Sequence, residues 1–118
     1  MGSSDRGGFI YLDVDRALEQ IGEAEALHDM LDMLQSSLDR DLPQIQALLD
    51  SGDVRSANRL LHAIKGFIPI FCVDALCDHV ASVELLSKTA SAAEVTAAFA
   101  LLEPKLRGLQ SEIDAHLV

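Results

Sequence analysis

Tryptophan is absent from this chain, and only one tyrosine and four phenylalanines occur in 118 residues. A core built with so few large aromatics must be filled by aliphatic side chains. Ala and Leu dominate, which favours helices over strands. Cysteine is equally scarce. Cys72 and Cys77 make no disulfide framework, so a reducing cytosol is the expected compartment. No apolar run approaches ~18 residues and no signal-peptide pattern is visible, so a soluble chain without direct membrane contact is expected. Basic residues are few, nine Lys and Arg against nineteen Asp and Glu, for a formal net charge of −10. Such a chain suits neither nucleic acid nor an anionic membrane, both of which require clustered cations. No Gly-rich phosphate loop, convergent carboxylate pair or complete nucleophile–base–orienter set can be located, which leaves little support for a free-standing enzyme.

What is present is enough apolar sequence for a single buried core, nearly half of all residues. The opening MGSSDRGG, residues 1–8, reads as a flexible leader or cloning remnant, and 9–118 as one domain. Asp13 caps a short first helix carrying Val14, Ala17, Leu18 and Ile21, closed by Gly22. A second helix begins near Glu23 and repeats Ala26/Leu27, Met30/Leu31, Leu34 and Leu38 at three-four spacing. Pro43 should break or bend it, yet the pattern resumes as Leu42, Ile45, Leu48 and Leu49 and stops at Ser51-Gly52. One long bent helix is favoured over two. Asp53 then caps a third helix. Asp74 is expected to cap the fourth, with Leu76, Val80, Val83 and Leu86 inward and Ser87–Ser91 as a polar break. The last runs from about Ala92 to His116 with Val95, Phe99, Leu102, Leu106, Leu109 and Ile113 inward, and Pro104 within it. The fold class expected is all-α: an up-down-up-down four-helix bundle with a short N-terminal capping helix.

The third helix holds the chemistry. Plotted at ~100° per residue over Val54–Phe71, it places Ala57, Leu60, Leu61, Ile64, Phe67, Ile68 and Phe71 on one apolar face. His62 falls nearly opposite, with Arg55, Arg59, Lys65 and Gly66 on its side. Three of the nine basic residues lie between Val54 and Val73, a stretch with no Asp or Glu. A solvent-facing imidazole offers a free nitrogen lone pair near neutral pH and is suited to accept and return a phosphoryl group. Lys65, one turn on, is placed to neutralise phosphoryl oxygens as a point charge. Gly66 costs ~1 kcal/mol in a helix interior relative to alanine, a hint that something must approach closely there. Arg55, Asn58 and Arg59 extend a polar, cationic surface toward the helix start, while Pro69 and Ile70 fall near its edge as an apolar rim. Together these read as a docking area for an acidic partner. Cys72, Cys77 and His79 do not converge on one helical face and lack a fourth ligand, so no metal site is assigned. His28 and His116 read as surface residues, and Glu19, Glu23, Glu25, Asp29, Asp32 and Asp39 as a solvated face.

His62-Ala63-Ile64-Lys65-Gly66 resembles the H-x-L-K-G motif of histidine-containing phosphotransfer (HPt) domains of bacterial multistep phosphorelays. The resemblance covers most of the chain, from the N-terminal Leu12-Asp13 through the proline-containing second helix and Ser51-Gly52-Asp53 to the last two helices. It implies a four-helix bundle in which His62 is the phosphoacceptor, Lys65 the phosphate-orienting cation and Gly66 the clearance residue. It also implies that the phosphoryl group comes from the aspartate of one receiver domain and passes to another. The partners are then the receiver domains of a hybrid sensor kinase and of a response regulator. The resemblance implies no nucleotide site, no kinase activity and no cofactor of the chain's own, the divalent metal being supplied by the receiver. The module is expected to be a monomer, or the detached C-terminal part of a hybrid kinase at the cytoplasmic face of the inner membrane. Past the motif the chain departs from the family pattern, with Phe67 where serine is usual and Cys72 where glycine is usual. Pro69, between them, is expected to perturb the hydrogen bonding of the Lys65 carbonyl and kink the helix. A phosphorylation-independent interaction module, which binds and restrains a partner through the same surface, stands as the alternative.

Overall fold

A computed structural model describes residues 8–118. The leader expected at 1–8 therefore lies, except for Gly8, outside the described residues. Five α-helices follow in order: α1 (Val14–Ile21), α2 (Ala24–Asp50), α3 (Val54–Phe67), α4 (Asp74–Leu86) and α5 (Ala92–Leu117). A 3-10 turn, Ile68–Ile70, follows α3. Among the described residues the only extended pairing is an isolated bridge between Leu12 and Cys72. The four longer helices pack in a closed cycle, α2 on α3, α3 on α4, α4 on α5 and α5 on α2, while α1 rests on α2 and on the 3-10 turn. Helices of 26 and 27 residues are ~40 Å long. That length sets the longest dimension of the molecule, 43 Å.

The element boundaries follow from local chemistry. Asp13 accepts a hydrogen bond from the Arg16 N–H and caps α1, and Gly22 ends it in the left-handed conformation at φ 94°. Proline does not interrupt α2 or α5: both helices run through Pro43 and Pro104. Ser91 and Glu94 form a reciprocal capping box at the start of α5. Two expectations are corrected on α4. Its N-cap is Val73, with no side-chain cap, and Asp74 is the first helical residue, paired instead with Arg16 at 2.7 Å. Leu86 is exposed at 36 %, whereas Glu84 and Ser87 are buried. The inward stripe of α4 turns toward Glu84 because α3 supplies polar partners for that carboxylate.

The core is aliphatic, as the composition requires. Leu27, Leu31, Leu34, Leu38, Leu42, Ile45 and Leu49 of α2 meet Ala57, Leu61 and Ile64 of α3 and the six inward residues of α5. Phe99 is the largest side chain fully enclosed. Burying such side chains supplies the driving force, at ~25 cal/mol per Å² of apolar surface.

A strap closes one end. The carboxylate of Glu112 on α5 accepts hydrogen bonds from the N–H groups of Ile10 (2.8 Å), Tyr11 (2.9 Å) and Leu12 (2.8 Å). Across the strap, Asp13 donates to the Phe71 carbonyl and Val73 to the Tyr11 carbonyl, at 2.8 and 3.0 Å. The segment after α3 is thus pinned to α5 through the chain's N-terminal residues.

Candidate functional site

The site begins at the start of α3. Gly52, at φ 82°, turns the chain out of α2, and Asp53 accepts from the Ser56 N–H at 3.1 Å to cap the new helix. That hydrogen bond, with the fields of Arg59 and Arg55, holds the Asp53 carboxyl below the ordinary aspartate range. Ala57, Leu61 and Ile64 then bury one face against the core. The opposite face is left to solvent, and His62 stands on it with a side-chain exposure of 67 %. Arg55, Arg59 and Gly66 share the exposed side, and Asn58 and Lys65 are half-buried toward α4. No atom lies within 4 Å of where a Cβ of Gly66 would sit, so nothing within the described residues requires a glycine there.

The residue that organises this face is one sequence reading did not find. Glu84 of α4 is buried, with only 1 % of its side chain exposed, directly beneath His62. Its Oε2 lies 3.4 Å from His62 Nδ1 and its Oε1 3.4 Å from Lys65 Nζ. Lys88, in the turn that follows α4, reaches the same Oε2 at 3.8 Å. The Asn58 amide donates to Oε2 at 3.1 Å and to the Ser87 Oγ at 2.8 Å. Ser87 in turn donates to the Glu84 carbonyl at 2.6 Å. Burial alone would raise the Glu84 carboxyl, but the Asn58 hydrogen bond and the charges of Lys88 and Lys65 outweigh it and hold the group below the ordinary glutamate range. Glu84 is therefore a buried anion at neutral pH. A carboxylate on the inward stripe of an amphipathic helix, four residues after Val80 and four before Lys88, was the available signal.

This anion fixes the imidazole. His62 Nδ1 faces the buried carboxylate at 3.4 Å, an ion-pair distance, and Nε2 is the nitrogen on the far side of the ring. Nε2 is thus the ring atom through which a nucleophilic role would run. Lys65 and Lys88 contact this one carboxylate, and Arg55 and Arg59 lie exposed on α3 toward its start. The neighbourhood is locally positive on a chain of net charge −10, and suited to a dianionic phosphoryl group.

Ile70 is not where the helix plot put it. The α-helix ends at Phe67, and Pro69, lacking an N–H, sits as the second residue of the 3-10 turn. Ile68 and Phe71 remain buried. Ile70 swings to the α2 side, where with Phe67, Phe71, Met30, Met33 and Leu34 it lines an open apolar groove of about 200 Å³. The residues expected to dock therefore divide: Arg55, Asn58 and Arg59 stay on α3 with His62, while Ile70 belongs to a separate surface. Cys72 is enclosed and burial pushes its thiol well up. Cys77 is half-buried and donates weakly to the Cys72 carbonyl at 3.7 Å. Among the described residues no cluster of three His, Cys, Asp or Glu is placed to hold a metal ion. No described helix is long and apolar enough to cross a membrane.

A family model, that of the Hpt domain, matches residues 29–116. The chain belongs to the Hpt domain family. The match takes in nearly all of α2 and everything from there through α5, and leaves α1 and the strap outside it. No curated protein and no solved structure matched the chain. Hpt domains are phosphotransfer modules rather than kinases with a catalytic site of their own. They act in phosphorelay signalling through a histidine, and they interact with receiver domains.

Proposed function

We propose that His62 is the phosphoacceptor of this Hpt domain, taking a phosphoryl group from the aspartate of one receiver domain and passing it to another. The observation that carries the reading is the pairing of an exposed imidazole with a buried carboxylate on its inner nitrogen. In the step, the His62 Nε2 lone pair attacks phosphorus and the N–P bond forms. The bond from phosphorus to the aspartyl oxygen breaks, its electron pair leaving with the carboxylate. Glu84 holds the Nδ1 proton throughout and offsets the positive charge the ring acquires. Lys65, half-exposed and bound to Glu84 only at 3.4 Å, is free to turn toward the incoming oxygens. Gly66 leaves room for the receiver's loops. Arg55, Asn58 and Arg59 form the polar docking surface, and Pro69 and Ile70 the apolar one.

The receivers are those of a hybrid sensor kinase and a response regulator, and the divalent cation of the reaction belongs to the receiver. The chain itself brings no nucleotide site and no cofactor. Residues 9–118 act as a monomeric cytoplasmic domain whose four long helices alternate in direction, with α1 as the cap. The test is transfer of labelled phosphate from a phosphorylated receiver. Label is expected on the wild type and absent from His62→Gln; equal labelling of the variant removes His62 from the role. If His62→Gln leaves cellular output intact while Arg59→Glu abolishes it, the chain instead restrains a partner without phosphorylation.

A further inference from the structure

The face that carries His62 holds a second recess, lying toward the start of α3. The first turns of α3 and the residues that follow α4 border an open cleft of about 330 Å³, lined by Arg55, Asn58, Ser87, Lys88 and Thr89. Its floor is polar and internally satisfied: Ser87 is buried at 4 % exposure and bonded to both Asn58 and the Glu84 carbonyl. Its rim is not. Arg55 is exposed and makes no hydrogen bond or ion pair among the described residues. Lys88, about half-exposed at 49 %, has only a 3.8 Å contact with a carboxylate that His62, Lys65 and Asn58 also occupy. Two cations thus border one cleft, Arg55 balanced only by the field of the exposed Asp53 carboxylate and Lys88 by a carboxylate it shares at 3.8 Å.

We propose that this cleft receives an acidic side chain of the docking receiver domain, its carboxylate bridging Arg55 and Lys88. The inference rests on the reading of His62 as phosphoacceptor and names a contact outside the reactive motif. A free anion gains little here, because both cations are long, unbraced and screened at ~0.1 M salt. A carboxylate delivered on a docked protein is different. It arrives desolvated and oriented by the rest of the contact, where charge-assisted hydrogen bonds are strongest. The sign of the rest of the molecule sharpens the choice. On a chain of net charge −10, an acidic partner is repelled from most faces and steered to this cationic one. Asn58 joins the two functions, since its amide braces Glu84 under the imidazole while the same residue lines the cleft.

The test compares KM and kcat for transfer from one phosphorylated receiver domain to the wild type, Arg55→Glu and Lys88→Gln, at low and high salt. Lys88→Gln is used because a new carboxylate beside Glu84 risks unfolding, and thermal melts establish that each variant is folded. KM is expected to rise about tenfold in each variant, with kcat falling much less and with a shallower salt dependence of KM. A receiver in which one surface carboxylate is replaced by lysine is expected to recover the Arg55→Glu variant. Unchanged KM in both folded variants overturns the cleft assignment while leaving His62 in place. A wild type that takes no label on His62 from any receiver of its own organism overturns the phosphoacceptor reading, and the cleft assignment with it.

Discussion

The same substitution at two helical glycines should move stability in opposite directions, and at one of them should separate stability from function. At Gly66 an added Cβ meets nothing within 4 Å, and the residue lies inside α3 without a positive φ. Gly66→Ala therefore removes backbone freedom from the unfolded chain without steric cost, a gain of ~0.5–1 kcal/mol. For a chain of this size that is an increase in Tm of roughly 2–5 °C. At Gly108 of α5 the added Cβ would lie 2.7 Å from Cε2 and 3.3 Å from Cδ2 of Tyr11. The main chain of Tyr11 cannot step aside freely, because its N–H and both neighbouring N–H groups are held by Glu112, so the ring itself must turn away. Overpacking of this kind costs ~1–3 kcal/mol, more than the helix gains, so Gly108→Ala should lower Tm. Function should run the other way at Gly66. If a receiver loop must pass over that position, one methyl group costs a similar ~1–3 kcal/mol at the interface, a loss of roughly ten- to a hundredfold in kcat/KM for phosphoryl transfer. Circular-dichroism melts and transfer kinetics on the two variants read both quantities. A destabilised Gly66→Ala would show that the isolated fold needs that glycine. A stabilised Gly66→Ala with wild-type transfer would remove its role as clearance.

Other consequences concern the anion beneath His62, the strap and the apolar groove. Because the folded-state pKa of Glu84 is depressed, its contribution to stability is fully present above the unfolded value of ~4.3 and is lost as pH falls through the lower folded value. The Tm difference between wild type and Glu84→Gln should hold from pH 7 to about 5 and shrink below about 4; a constant difference in melts across that range would contradict an ionised Glu84. Glu112→Ala should leave the N–H groups of Ile10, Tyr11 and Leu12 without their acceptor. That costs ~1–3 kcal/mol and accelerates their hydrogen exchange by NMR, whereas unchanged protection would mean that the strap is held by other contacts. Ile70→Asp, at a half-buried position lining the groove, should weaken receiver binding in a calorimetric titration while leaving the His62 imidazole resonances in place. Wild-type affinity would show that the groove is not used.

How much of this was legible in the sequence depended on how local each signal was. The face of α3 was readable because Ala57, Leu61 and Ile64 set its phase and Asp53 marked its start, which put His62 in solvent. The reading failed where the helix itself stopped. Pro69 converts the chain to a 3-10 turn, the 100° step no longer applies, and Ile70 lands on the α2 side rather than beside His62. Glu84 was hidden for a different reason. It lies 22 positions beyond His62 and looks like one more acid on an acidic chain. Only the packing of α4 on α3 shows that it is buried, and that Leu86 gives up the inward place to it. The Glu112 strap spans about a hundred positions and depends on three backbone N–H groups, which leave no mark on side-chain pattern at all.

The most direct measurement is the identity of the phosphorylated atom. Phosphorylating the protein and mapping the adduct by heteronuclear NMR should place phosphorus on Nε2 of His62, with Nδ1 still protonated toward Glu84. Phosphate found on Nδ1 of that ring, or on His28, His79 or His116 in its place, would contradict a site built around the outward nitrogen of His62.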